Sequence, residues 1–280
     1  MSLAYITWNP SPEIFSIGSF SIRWYGLLFA MGFFLSYIVL YHVFKKENIA
    51  GKLLDRLAIY VFLATVIGAR LGHVFFYQWD YYRENLGEIF MVWKGGLASH
   101  GAGIAIIIAL IIYIRQYKVN MWWLFDRAAM VIPIAAAFVR FGNLMNSEIY
   151  GITTAVPWGF VFVHDPDAGN VPRHPTQLYE AFSYLLISLV FYIIWRKNKA
   201  VVRPGMFVGI FLVAMFTARF LIEFLKTDQV PFEKGMVLDM GQLLSIPFIL
   251  LGAFFLFWSY RKKKPAGENE KSPPVNEGDR

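Results

Sequence analysis

Apolar residues fill seven stretches of the chain almost without interruption: 19–43, 57–77, 96–114, 121–140, 177–195, 205–226 and 241–260. Each is close to the roughly 20 residues an α-helix needs to cross hydrocarbon. The pattern predicts an all-α polytopic membrane protein with seven transmembrane helices. The third run opens GGLASHGAG. Its glycines and histidine predict a broken or re-entrant start, which is allowed only where protein or water covers the backbone. Residues 1–18 read as a short polar-aromatic lead at the interface. The longest polar interval, about 141–176, holds AVPWGFVFVHDPDAGNVPRHP, a β-like run and then a turn signal. A small extracytoplasmic α/β cap is expected there. The division is one transmembrane domain over 1–264, cap included, and a disordered cytoplasmic tail over 265–280.

Charge orients the spans. Loops joining the runs on one side carry 15 Lys and Arg, from Lys45, Lys46, Lys52 and Arg56 through to Arg261–Lys264. The opposite loops carry only four: Arg83, Lys94, Arg173 and Lys234. The positive-inside rule places the first set in the cytoplasm, with the N-terminus outside and the C-terminus inside. No cleavable signal peptide is expected, because Pro10, Pro12 and Glu13 precede any long apolar run and no basic n-region leads.

Composition agrees: 57% of residues are hydrophobic, 18% aromatic and 16% charged. The net charge of +7 is assigned to cytoplasmic loops and lipid phosphates. A nucleic-acid partner would need a soluble basic face, and the pattern holds none. With no cysteine in the chain, a thiol taking part in any reaction would belong to the substrate. His73, His100, His164 and His174 lack metal-ligand spacing, so no metal is expected. No other cofactor is expected either.

The chemistry concentrates in RFGNLMNSEIYG, residues 140–151, at the outward end of an apolar run. Hydrocarbon does not tolerate such a polar set unless something polar is handled there. Five cations lie at membrane depth, Arg23, Arg70, Arg140, Arg219 and Lys226, and simple placement puts all five toward the outer side. A site for an anionic lipid headgroup needs such a shared level, since guanidinium matches phosphate oxygens with a planar fork. Snorkelling at helix ends is the competing reading, and it weighs most for Arg23 and Lys226. Arg219 and Glu223, four apart, would share a helix face, as a structural ion pair or as a guanidinium held for a ligand. Asn143 and Asn146 would face one way, and Glu148 would pair with or orient an arginine. Gly142 and Gly151 permit close approach or a turn. Gly68 and Gly72 flank Arg70 in GARLGH and admit another backbone or a lipid. His100 is a candidate general base or a packing histidine. Tyr25 is a phenol at similar depth or an interfacial belt residue.

These motifs, with Trp24-Tyr25-Gly26, Arg173-His174-Pro175-Thr176-Gln177-Leu178-Tyr179-Glu180 and Gly241-Gln242 through Pro247, resemble the prolipoprotein diacylglyceryl transferase family over nearly the whole chain. Val139, Ser147 and Ala102 stand where that family often has glycine. The resemblance implies transfer of the diacylglyceryl group of phosphatidylglycerol to the lipobox cysteine of a preprolipoprotein, in the bacterial cytoplasmic (inner) membrane. The products would be a thioether and glycerol 1-phosphate. It implies that Arg140 and Arg219 take the phosphate, with Asn143 and Asn146 placing the headgroup. Glu148 and Glu223 would orient the arginines, and Arg70 and Gly151 would complete the binding set. His100 would be the thiol base, with Tyr25 a donor or second candidate. The residue pattern alone leaves open a transporter or channel, a structural membrane protein, and another phospholipid-headgroup transferase.

Overall fold

The computed structural model describes residues 5–17, 20–92, 95–96, 98–198, 202–227 and 236–262. The tail expected over 265–280, and Lys94 and Lys234 of the outer loops, lie outside them. Among the described residues, seven helices are long and apolar enough to cross a membrane: α1 (Trp24–Lys46), α2 (Gly51–Tyr77), α4 (Ser99–Tyr117), α5 (Met121–Met145), α6 (Thr176–Lys197), α7 (Met206–Glu223) and α8 (Met240–Arg261). At 1.5 Å rise per residue, 18 to 27 residues span roughly 27–40 Å. A short helix α3 (Trp79–Tyr82) and a 3-10 turn (Leu86–Phe90) lie between α2 and α4.

The helices bury polar groups and expose apolar ones, as lipid-facing surfaces require. Ile104, Ile107, Ile108 and Ile111 of α4 are exposed, as are Leu250, Phe254 and Phe257 of α8. Three buried hydroxyls bond to helix carbonyls: Thr65 to Val61, Ser188 to Met130 and Ser245 to Gly241. Hydrocarbon supplies no partner for such groups, so each finds one inside the protein.

The chain forms two compact units. The first holds the residues up to Val39 and those from Phe125 to Pro265. Its cap contains β1 (Ile6–Trp8) paired in parallel with β4 (Phe160–Phe162), and a hairpin of β2 (Glu13–Ile17) with β3 (Phe20–Arg23) that leads directly into α1. The lead is therefore strand, and the β-like run of the cap pairs with it. Trp8 donates its indole N–H to the Leu144 carbonyl at 2.9 Å and so ties β1 to the last turn of α5. Tyr150 stacks on Phe162 beneath this sheet. At the other end of α7, the Asp126 carboxylate accepts from the amides of Gly205, Phe207 and Val208 and so caps that helix.

The second unit is built on α2 and α4, which meet backbone to backbone. A β-carbon on Gly101 would overlap the Gly68 carbonyl and lie 2.6 Å from Gly72 Cα. One on Gly72 would lie 2.7 Å from Gly101 Cα. Small residues make that approach possible, as the GARLGH spacing suggested. Among the described residues, the third span is not helical at its glycine start, where Gly95 and Gly96 take positive φ, and becomes regular helix only from Ser99.

Candidate functional site

The site in the first unit grows from the way α5 ends. Ser147 takes φ +56°. The Ser147 amide reaches the Leu144 carbonyl, and the Glu148 amide reaches that of Asn143 at 3.1 Å. This is a Schellman closure with serine in the left-handed position that glycine usually fills. Ile149 follows at φ +58°. Two left-handed residues therefore flank Glu148, each at a cost of about 1–3 kcal/mol that the surroundings must offset. Those surroundings are the start of α6. Gln177 donates to the Glu148 carbonyl at 2.7 Å and Thr176 to that of Ile149 at 2.9 Å. The Gly151 amide donates to the His174 carbonyl at 2.8 Å, and the Ile152 amide to that of Leu225 just beyond α7.

This frame closes a ring of polar side chains. Glu148 accepts from Asn143 Nδ2 at 2.8 Å and from Asn146 Nδ2 at 3.3 Å. Asn143 Oδ1 accepts from Arg140 Nη1 at 3.1 Å. Arg140 Nε lies 2.9 Å from Glu180 Oε2. Glu180 Oε1 accepts from Tyr184 at 3.1 Å and from Lys226 Nζ at 3.2 Å. Lys226 also reaches Glu223 Oε2 at 3.1 Å. Glu180 precedes Tyr184 by one helical turn and follows Gln177 by three residues, so the ring returns to Glu148. Arg219 comes within electrostatic reach of the Tyr184 hydroxyl.

Three cations and three carboxylates thus gather at one end of the helices. Lys226 and Glu180 are buried, with 3% and 0% of their side chains exposed, and Arg140 keeps 14%. Such burial costs several kcal/mol per ion unless every charge is paired, and here each carboxylate meets a cation or amide donors. The pairing leaves gaps. Arg140 Nε is not aligned as a donor, and Glu180 Oε2, Gln177 Oε1 and Ser147 Oγ are buried without hydrogen-bond partners.

Neighbouring elements hold the ring by close contact. A β-carbon on Gly142 would come 2.7 Å from the Tyr25 ring, so the α1 tyrosine packs closely against α5, within electrostatic reach of Glu148 and Arg140. A β-carbon on Gly241 would overlap the Glu223 carboxylate at the start of α8, a helix N-terminus that favours negative charge. Beside Gly151, His174 donates to or accepts from Tyr179 at 3.0 Å. Burial lowers its pKa and favours the neutral ring.

The structure brings together Tyr25, Arg140, Asn143, Asn146, Glu148, Gly151 and Glu223, with Arg219 reached through Tyr184. Several expected pairings are corrected. Glu223 meets Lys226, three residues on, rather than Arg219. Glu148 takes the two asparagines and acts on Arg140 only through Asn143. Lys226 is interior and doubly paired, not snorkelling, because the chain turns back after α7 to bridge Gly151. Arg23 is a surface cation 3.6 Å from Glu13. Glu180, which holds Arg140, had no assigned role. An acid in the first turns of a helix carries no distinguishing sequence signal.

Arg70 and His100 belong to the second unit. His100 is the second residue of α4 and is exposed. Arg70, expected among the headgroup ligands, is only 3% exposed. It donates to the carbonyls of Ile89, Gly95, Gly96 and Glu88. Four of its five donors go to backbone carbonyls, so a forked grip on phosphate would have to displace them. Among the described residues, no group of three or more His, Asp or Glu side chains could hold a metal ion.

Comparison with known proteins places this geometry in context. The family model for prolipoprotein diacylglyceryl transferase matches residues 12–258. A Bacteroides fragilis protein is 44% identical over 274 residues, covering 94% of this chain and 98% of its own. A Porphyromonas gingivalis protein is 43% identical over 266 residues, covering 90% and 94%. One from Tolumonas auensis is 40% identical over 257 residues, covering 91% and 98%. All three are named phosphatidylglycerol–prolipoprotein diacylglyceryl transferase.

Proposed function

The chain belongs to the prolipoprotein diacylglyceryl transferase family, and from that premise we propose the chemistry its site performs. The protein is a multi-pass membrane transferase that moves diacylglyceryl from phosphatidylglycerol to a prolipoprotein. The acceptor is the lipobox cysteine thiol. Its sulfur attacks the diacylglyceryl carbon that carries the phosphate. The new bond is C–S, the C–O bond breaks, and glycerol 1-phosphate leaves with the bonding pair. The thiol proton passes to a base, His100 in this reading, or to solvent.

The leaving group gains charge as the C–O bond breaks, so pre-placed cations lower the barrier more than they tighten substrate binding. Arg140 and Arg219 take that charge. Asn143, tied on one side to Arg140 and on the other to Glu148, fixes where the guanidinium fork points. Tyr25 supplies a hydroxyl beside the same pair. The enzyme sits in the bacterial cytoplasmic (inner) membrane with this end of the helices outward, as the Lys/Arg bias of the loops supports.

The observation that carries the reading is the buried ring of Arg140, Asn143, Glu148, Glu180 and Lys226 at the end of apolar helices. Purified enzyme in phosphatidylglycerol vesicles with a lipobox peptide is the test, followed by peptide mass. Wild type should add one diacylglyceryl group per cysteine, and Arg140→Ala should lose at least about 100-fold in rate, as for removal of one preorganised donor. A folded wild type that leaves both lipid and peptide unchanged would refute it.

A further inference from the structure

We propose that Arg70 is a positioning residue: it fastens the 3-10 turn Leu86–Phe90 and the pair Gly95 and Gly96 onto α2, and so sets where α4, and His100 with it, begins. The inference rests on the transferase reading, with His100 among the reacting groups. Of the five N–H donors of a guanidinium, four are used. Nε donates to Ile89 at 2.8 Å and Nη2 to Glu88 at 2.6 Å. Nη1 donates to Gly95 at 2.6 Å and to Gly96 at 3.3 Å. The guanidinium also lies over the Tyr82 ring, 5.0 Å from its centroid. Among the described residues its partners are carbonyls and a ring, with no carboxylate. A single side chain therefore grips both ends of the connection, the 3-10 turn and the glycine pair before α4.

The seat is closely built. Gly96 holds φ +71°, and a β-carbon there would lie 2.6 Å from His73 Nε2 and 3.0 Å from Arg70 Nη1. Two residues later the Ala98 amide donates to the Ala69 carbonyl at 2.9 Å, and α4 starts at Ser99. His73, one turn beyond Arg70, stacks on Tyr77 and meets Tyr82 edge-on. Moving Arg70 to a phosphate would take its donors from the carbonyls of Ile89, Gly95 and Gly96, while Glu88 would keep only the Met91 amide. Lysine cannot replace it, since an ammonium has three donors at one point and lacks the planar fork that reaches four carbonyls.

The test uses the full-length enzyme in phosphatidylglycerol-containing nanodiscs. It reads kcat, KM for the lipid, and amide hydrogen exchange across residues 83–98. Arg70→Lys keeps the charge and should lower kcat about 100-fold, the scale of a 1 Å displacement of a reacting group. Lipid KM should stay within about twofold of wild type on the same reasoning, and exchange over 86–96 should accelerate. Gly96→Ala leaves Arg70 intact but blocks its seat, and should reproduce all three changes even if the arginine variant fails to fold. A raised lipid KM with kcat and exchange unchanged in Arg70→Lys would make Arg70 a phosphate ligand and overturn the proposal, as would a silent Gly96→Ala. Failure of wild type to transfer lipid would instead refute the proposed function, while the exchange arm would still report on the fastening.

Discussion

Replacing Gly151 with alanine adds one methyl group where three segments of chain converge. That β-carbon would overlap the Leu225 carbonyl oxygen, lie 2.7 Å from His174 Cβ and 2.9 Å from Thr176 Cγ2. Ordinary carbon contacts fall near 3.5–4.0 Å, so the Leu225 segment must retreat by about 1 Å. It cannot retreat freely. The Leu225 carbonyl accepts from the Ile152 amide at 2.8 Å, and Lys226, the next residue, is ion-paired to Glu180 and Glu223. Overpacking of this kind costs about 1–3 kcal/mol of stability. The larger effect falls on rate, because a 1 Å shift of the charges that hold Arg140 costs about 100-fold. Transfer of lipid to a lipobox peptide, with thermal unfolding of the same preparation, measures both. Gly26→Ala is the control: nothing lies within 4 Å of a β-carbon there, and alanine favours helix by about 1 kcal/mol. A Gly151→Ala enzyme with wild-type rate would show that the contact between this loop and the Lys226 segment has no part in placing the cations.

Three further outcomes are expected. Glu180→Gln leaves Arg140 without its carboxylate while Lys226 keeps Glu223, so kcat should drop at least about 100-fold and stability by about 3–5 kcal/mol, the scale of breaking a buried pair; by the same measurements the exposed pair in Arg23→Gln should cost under about 1 kcal/mol. Ser147→Gly relieves a left-handed serine and should raise the unfolding temperature through a gain of about 1 kcal/mol; a lower temperature would remove strain from the account of that turn. Burial and its hydrogen bond to Asp165 push the Tyr150 phenol up to about 12 from an ordinary 10.0, so its contribution to stability is full below pH about 10 and is lost as pH rises through about 12. Stability against alkaline pH, wild type beside Tyr150→Phe, should show a constant wild-type margin below pH about 10 that shrinks across that window.

The seven spans were legible because bilayer thickness sets the length of an apolar run, and no other force competes with it there. The signature stretch was legible because so polar a set at the end of a span demands a use. The pairings were not. Arg219 and Glu223 have the spacing of an ion pair, yet the turn after α7 brings Lys226 closer, and spacing along one helix says nothing about a chain that reverses. Glu180 was readable as part of a motif but not as the partner of Arg140, since that contact joins α5 to α6. Arg70 read as a ligand because intramembrane cations usually meet anions. Its partners are carbonyls of a connection with no sequence pattern of its own. The parallel pairing of Ile6–Trp8 with Phe160–Phe162 was equally hidden, because three-residue strands carry too little alternation to name a distant partner.

The glycine contact between α2 and α4 also bears on how the protein is made. Every residue of that contact lies between Gly51 and Tyr117, so the two helices leave the ribosome with all they need to recognise one another. Lipid gives apolar helices no reason to associate, and only surfaces that fit at the level of bare backbone will do so before the rest of the chain arrives. A methyl group at Gly101, which would overlap the Gly68 carbonyl, is therefore expected to weaken the pairing of α2 with α4 itself, read as a lower yield of folded protein from the membrane.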